Sequence, residues 1–568
     1  MILPGDQSER DKMYRNLVRE CDLGRSERQE LHRRMRNVYL NGSDTASPVM
    51  YNRILEFVDT SSSYLYDPES PMFVVSAGDQ FGDDYREEEE AASDYIQREW
   101  IKRYTLTAMS AVEYGHVYPS VIVKTFADRR GAKCQVLDDP ADFGVWRETL
   151  PTIHGQEAFC HFYNMPQPSF VRWVQTLDLK KEERDRLVLA ASEYSAREGS
   201  TVGGSVLPPT QSRIILSAVS PSAIGAAQAA PMVSMASPQS DAPVIPMAEL
   251  YVFDDALGDY RVVTLFRPIE EVLCEIENPQ PGIPIFHKLT LFPTQGYIWG
   301  LSPIERMIGL QMWRDEQMAG INDLMRLNLD PPRAFLGIPG ITEEKAKRLN
   351  SPGGMFTSAQ PGGDIKSLAP PIPPDVWTMV DGIDRMFDRL GGLPPGSDVA
   401  ADQANMRAGD QLATAASLGS PRTRKRAMYV EAFVNDVATS ILKLRQMAAV
   451  KLIKPQSGEP FLLGQIPPEN LTATIAGHTA SPLYSERTFE RALLVYDRQA
   501  IDDETLVQFS GLPMQAQLRA KARSIQRAKA DRAKSMMEMQ GRELETKEKT
   551  AGAKVVSAEA TKLKALKS

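Results

Sequence analysis

The stretch GLSPIERMIGLQMWRDEQMAGINDLMRLNLDPP, residues 300–332, sets the frame for everything around it. Its beginning is marked three times over. Ser302 is a cap residue, Pro303 stands at the first helical position where a missing N–H costs nothing, and Glu305 sits where a capping box is completed. No proline follows until Asp330-Pro331-Pro332 forbids continuation. The pattern predicts one helix over 303–329, about 40 Å long at ~1.5 Å per residue. Gly309 and Gly320 weaken it without ending it. Ile304, Met307, Ile308, Met312, Met318, Ile321 and Met325 are its expected apolar contacts. Arg314, Asp315, Glu316, Asn322, Asp323 and Arg326 are interspersed over the remainder.

Downstream, residues 331–374 hold nine prolines and six glycines, with a short helical candidate at 341–349. Such an excursion buries little by itself. A second helix is expected over 375–390, with Val376, Met379, Val380, Ile383, Phe387 and Leu390 on one stripe and Gly391-Gly392 at its end. Asp381, Asp384 and Asp388 follow i, i+3, i+7 spacing and share one face beside that stripe. A polar loop over 391–411 leads to a helical stretch kinked at Gly419-Ser420-Pro421. The main helix then runs to about Leu452, with Val430, Phe433, Val434, Val437, Ile441, Leu444 and Leu452 at core spacing. Arg422, Arg424, Lys425 and Arg426 open it, where cations oppose the helix dipole. They are either solvated or offset by a partner anion or acidic surface.

Upstream, a charged helical segment covers 8–39 and ends at Asn41-Gly42. A second covers 84–114, with Glu87–Glu90 at its favourable acidic start and Gly115 as its stop. A strand follows at 120–126, an amphipathic helix at 170–194, and a Pro/Ser/Ala-rich insertion without its own core at 199–247. The runs ELYVFDD and YRVVTLF predict a β-hairpin, and PIFHKLTLF a further strand.

The 568 residues carry a net charge of −9, with 42% hydrophobic and 24% charged side chains, which excludes a wholly disordered or fibrous chain. No signal peptide, membrane span or CxxC pair is recognised, so a reducing cytosol fits the four scattered cysteines. The tail from 517 onward opposes the acidic average, with fourteen Lys/Arg against six Asp/Glu in a helix-forming, proline-free composition. A hydrolase is a possible alternative. Its case is thin: the six histidines form no HxxxH or HExxH pair, no P-loop or GxSxG occurs, and Cys160 and His161, adjacent on a strand, point to opposite faces.

The order of pieces from Tyr297, Gly300, Leu301, Ser302 and Pro303 to Lys454 resembles the portal (head-to-tail connector) proteins of tailed bacteriophages, of the short-tailed type. Those pieces are a turn into a long helix, a Pro/Gly-rich excursion, a helix ending in glycines, a flexible polar loop and a long kinked helix. The resemblance implies an α+β, mainly helical ring subunit. Residues 1–299 become most of the wing, 300–329 and 375–390 the stem helices, 330–374 the clip, and 391–411 the tunnel loop. The long wing helix is then 412–454, the crown 455–512 and a basic helical barrel 513–568. It also implies a homododecamer at one capsid vertex of the virion, assembled in the host cytoplasm, through which double-stranded viral DNA is packaged and ejected. Its further partners would be the terminase large subunit, the tail adaptor ring, and the major capsid and scaffolding proteins. No catalytic, metal or cofactor residue is implied, and no membrane.

On that basis Gln403, Asn405 and Arg407 are expected near the channel axis. Asp381, Asp384 and Asp388 are expected on the channel wall or the inter-subunit face. Arg333, Phe335, Lys345, Lys347 and Lys366 belong to the docking clip, and Arg519, Arg523, Arg527 and Lys534 to the barrel. An acidic or mixed wall suits a conduit, because cations that neutralise phosphates release counterions and make a duplex stick. Another structural virion protein, either an adaptor or an internal head protein, is the nearest alternative.

Overall fold

A computed structural model describes residues 1–41, 52–66, 73–76, 86–128, 131–177, 179–198, 243–329, 333–336, 364–367, 375–391, 421–454, 458–466, 471–475, 492–498, 506 and isolated helical positions between 521 and 550. They fall into two compact units. One comprises Met1–Pro68 with Val74–Thr474; the other comprises Glu69–Phe73 with Ile475–Ser568. The described chain is mixed α/β with helix predominating, as expected of an α+β, mainly helical protein.

The first unit opens with α1 (Gln7–Asp22) and α2 (Arg25–Asn41). The sequence reading made these one helix. The chain instead breaks at Leu23-Gly24, where Gly24 has φ +69° and lets the two helices diverge. Asp6 caps α1 through the Glu9 N–H, and Asn52 caps α3 (Arg53–Leu65) through Leu55. After β1 (Phe73–Ser76), α4 (Arg86–Glu99) passes through a π turn, Trp100–Tyr104, into α5 (Thr105–Val117). Gly115 is therefore not a stop. It lies inside α5, close under Leu289 and Leu291, and the helix continues to Val117.

Two antiparallel sheets form the β part of this unit. β2 (Val121–Asp128) is flanked by β3 (Gly131–Val136) and β9 (Phe286–Leu289). The five-stranded sheet runs in order β4 (Phe143–Val145), β5 (Ala158–Pro166), β6 (Val244–Asp254), β7 (Asp259–Phe266) and β8 (Glu271–Glu277). The expected hairpin is β6–β7, paired from Met247↔Phe266 to Asp254↔Asp259. β6 starts at Val244, so residues 244–247 belong to the sheet and not to the insertion; 199–242 lie outside the described residues. The single helix expected at 170–194 is two, α6 (Gln167–Thr176) and α7 (Lys181–Glu198).

Strand periodicity sorts the cores. On β5, Cys160 and Phe162 face one side, where Tyr14, Leu17, Val18 and Cys21 of α1 cover the sheet. Phe159 faces the other, stacked on Tyr251 and edge-on to Phe286 of the smaller sheet. Helices α6 and α7 close one end of the sheet around Phe170, Leu187 and Phe266.

The chain then enters α8 (Pro303–Leu329), the span the punctuation predicted. Gly300 precedes it where any Cβ would come within 2.4 Å of Thr290 Cγ2 and 2.6 Å of the Phe292 carbonyl, so only glycine lets this turn lie against β9's exit. The strands β10 (Arg333–Leu336) and β11 (Asp364–Ser367) pair antiparallel. The chain returns through α9 (Asp375–Gly391). The last long helix, α10 (Pro421–Met447), packs on β2, β3 and β9. Val430, Phe433, Val434, Val437, Ile441 and Leu444 are buried as expected. Leu452 is not helical: Ala449, at φ 49°, turns the chain into β12 (Lys451–Ile453), paired with β13 (Pro460–Leu462). β14 (Thr472–Ile475) follows, and Thr474 Oγ1 donates to the Val74 carbonyl. In the second unit, 492–497 and the described positions of 521–550 are helical.

Candidate functional site: an antiparallel helix pair and its buried root

The excursion predicted from sequence is built as two helices leaving and re-entering one core. Ile304, Met307 and Ile308 of α8 pack with Ile383 and Phe387 of α9 against Met35, Val38, Ile54, Phe57 and Val58 of α2 and α3. Charged contacts fix the direction. Arg314 Nε meets Asp384 Oδ1 at 3.0 Å, the Arg53 backbone N–H donates to Gln311 Oε1 at 3.2 Å, and Arg53 Nη2 meets Asp388 Oδ1 at 3.2 Å. As the number falls from 314 to 311 on α8 it rises from 384 to 388 on α9, so the two run antiparallel. The β10–β11 register, Arg333↔Ser367 through Leu336↔Asp364, continues that antiparallel course in the excursion.

The N-terminus of α8 is seated on the end of α5. Ser302 Oγ accepts from the Ile304 N–H at 3.2 Å and donates to the Val117 carbonyl at 2.7 Å. At the far end of α9, Gly391 lies so close to Phe57 that a Cβ would fall 2.3 Å from its Cε2. Here Arg426 of α10 is buried. It donates to the Gly391 carbonyl and, at 3.3 Å, to Ser61 Oγ, and its guanidinium lies 5.1 Å from the Phe292 ring centroid. A cation at a helix C-terminus is well placed, which resolves for Arg426 the conflict it has with α10's own dipole. Ser61 Oγ in turn donates to His116 Nε2 at 2.9 Å, and His116 Nδ1 donates to the Val112 carbonyl at 2.9 Å. Burial, reinforced by Arg426, pushes the imidazole down to about 3, so it is neutral. A buried Ser–His pair tied to a guanidinium and two helices is a structural joint: Ser61 and His116 have no surface for a substrate.

Away from the root the pair is bare. Ile321 is the last buried residue of α8; Leu329 is 86% exposed and Trp377 on α9 is 48% exposed, with Met325, Leu327 and Met379 also exposed. The expected apolar contacts Met312 and Met325, and Met379 and Leu390 on α9, are only partly covered, between 40% and 48% exposed. Positions 311 and 314, on the inward face, carry Gln and Arg, and both are buried.

Asp384 and Asp388 are half-buried in the ion pairs just given, and Asp381 is exposed. Arg333 and Phe335 lie on β10, and Lys366, opposite Ala334, on β11. Lys345, Lys347, Gln403, Asn405, Arg407, Arg519, Arg523 and Arg527 lie outside the described residues; Lys534 is helical and exposed in the second unit. Arg426 stands among the cations that the sequence flags at the start of α10, whereas Arg53, Ser61 and Gln311 are not singled out by it. For Gln311 a signal exists, a polar residue at core spacing; Arg53 and Ser61 meet the pair only through long-range folding.

A second feature is a cleft of about 850 Å³ between α2, the three-stranded sheet and β5–β6. Among its lining residues Lys124 pairs with Glu249 at 2.6 Å and Arg25 with Asp142 at 2.5 Å, and His32 Nδ1 lies 2.7 Å from Asp139 Oδ1. Burial alone would raise Glu249, but Lys124 and His161 outweigh it and hold the carboxyl at about 2. Cys160 faces away from His161, and burial pushes its thiol well above the usual range. Among the described residues no cluster of His, Cys, Asp or Glu could hold a metal, and no helix is long and apolar enough to cross a membrane.

No family model matches this sequence, and no curated protein matches it.

Proposed function

We propose that the chain is one subunit of a portal, a twelve-membered ring at one capsid vertex through which double-stranded viral DNA enters and leaves. The observation that carries this reading is the α8–α9 pair: its root is clamped into the body by ion pairs and a buried core, and its outer half presents apolar side chains that one chain leaves uncovered. Rods of this kind gain their burial from neighbouring copies. The paired strands β10–β11 would be the clip that meets the terminase large subunit and then the tail adaptor ring. The sheets and α10 would be the wing facing the major capsid and scaffolding proteins, and the basic helical end a barrel toward the packaged genome. The net charge of −9 per copy favours a channel that repels the duplex rather than gripping it.

Light scattering on the purified chain, with negative-stain imaging, tests this directly. A portal subunit gives a ring of about twelve times 63.1 kDa with a central hole. A uniform particle near the mass of one chain, without a hole, refutes it.

A further inference from the structure

The cleft between α2 and the two sheets is bordered by three neighbouring carboxylates, Asp138, Asp139 and Asp142, at the turn from β3 into β4. Two of them are occupied. Asp142 accepts from Arg25 and Gln29, and Asp139 accepts from the Ala141 N–H with His32 beside it. Asp138 is half-buried and makes no hydrogen bond or ion pair among the described residues. Burial pushes its carboxyl above the ordinary range, Arg36 of α2 draws it down through space, and Asp142 and Asp139 push it up again. Lys124, which also borders the cleft, is committed to Glu249. Tyr118 borders the same space. It is 4% exposed, and its hydroxyl makes no hydrogen bond among the described residues. Its ring packs on His32 and Tyr114, with centroids 4.9 and 5.8 Å apart, and its hydroxyl lies in the field of Arg36, Asp139 and Asp138. The carboxylate and the phenol oxygen are thus acceptors that folding has left without a donor, and such groups cost free energy until one reaches them.

We propose that this cleft binds an organic cation, a primary ammonium or a guanidinium on an apolar stem, with Asp138 as its counter-ion and the Tyr118 oxygen as a second acceptor. An N–H donor that is also charged answers both vacancies in acceptor pairing at once, and a half-buried carboxylate gains more from it than one in open water. Phe126, Leu137 and Tyr251 in the lining give the stem an apolar wall, and the cleft, at about 850 Å³, has the size of a small-molecule site. A bare metal ion fits less well, since among the described residues no three His, Cys, Asp or Glu side chains gather around one point. The cation is carried either by a free polyamine or by a lysine or arginine side chain of a protein. Every residue invoked belongs to the first unit of one chain, so the site does not depend on ring formation.

The test is calorimetry on the full-length protein at ~0.15 M salt, where long-range attraction is screened. Three probes are used: spermidine, N-acetyl-arginine amide and, as a small anion, glutarate. Wild-type protein is expected to bind a cation and not glutarate. Tighter binding of spermidine assigns the ligand to free polyamines, and tighter binding of N-acetyl-arginine amide assigns it to a basic side chain. Asp138→Asn is expected to weaken the preferred cation about tenfold or more, and Tyr118→Phe about fivefold. Melting temperatures should hold, since neither group has a hydrogen bond within the described chain to lose. Tyr118→Phe leaves the net charge and the ring unchanged, so its loss of affinity separates a built site from general attraction to an acidic protein. Wild-type protein that binds neither cation, glutarate that binds as tightly as they do, or undiminished binding by either variant overturns the proposal. Because the readout is binding, it stays interpretable if the chain proves not to form a ring.

Discussion

The inner and outer halves of the α8–α9 pair have similar helix-forming residues but opposite surroundings. Near the root, two turns of α8 bring together Met307, Ile308, Gln311 and Arg314, each buried and each with a partner from α2, α3 or α9. Farther out, Met325, Leu327 and Leu329 are equally apolar in sequence yet exposed. Helix propensity does not distinguish these halves; what does is whether the chain itself supplies a facing surface. The inner half is therefore a matter of folding and the outer half a matter of association, and substitutions should separate them.

The largest expected effect is at the root. Phe387→Ala removes a fully buried ring between α3 and α9 and should cost about 4 kcal/mol of unfolding free energy in denaturant titration. Next, Arg314→Met leaves Asp384 half-buried without its cation, an expected loss of about 3 kcal/mol that restoring Arg314 abolishes. A smaller loss follows from acid. Unfolded histidine takes up a proton below ~6.5, whereas His116 stays neutral until about 3. Its contribution is thus complete above pH ~6.5 and declines as pH falls toward 3, by about 2 kcal/mol at pH 5. Melting curves at pH 7 and pH 5 should show that decline, and His116→Gln should make it shallower. The smallest effect on a single chain is expected from Trp377→Glu with Leu329→Glu, within about 0.5 kcal/mol. The same pair should abolish assembly in light scattering, and an undiminished ring would show that the outer half is not an association surface.

The caps of α8 were legible because Ser302, Pro303 and the Asp330-Pro331-Pro332 stop are local chemistry. The break at Leu23-Gly24 and the π turn at Trp100–Tyr104 were not, since the apolar spacing on either side remains helical and only the packed core decides where the axis bends. Leu452 fits a helical stripe as well as it fits β12; the partner strand β13 decided. For the site, the sequence showed that Asp384 and Asp388 share a face, but their cations come from Arg314 and from Arg53, hundreds of residues away in the second case. Arg422–Arg426 read as an electrostatic conflict, and the fold resolves it at Arg426, which meets the C-terminal carbonyl of α9.

Arg53 has a mechanical consequence. Its backbone holds Gln311 while its guanidinium holds Asp388, so one residue of α3 grips both helices at the same height. Sliding either helix along the other by a turn, ~5.4 Å, would break one of these two grips. Force applied along the pair is thus met first at Arg53, where axial slippage of either helix is opposed by a hydrogen bond or an ion pair.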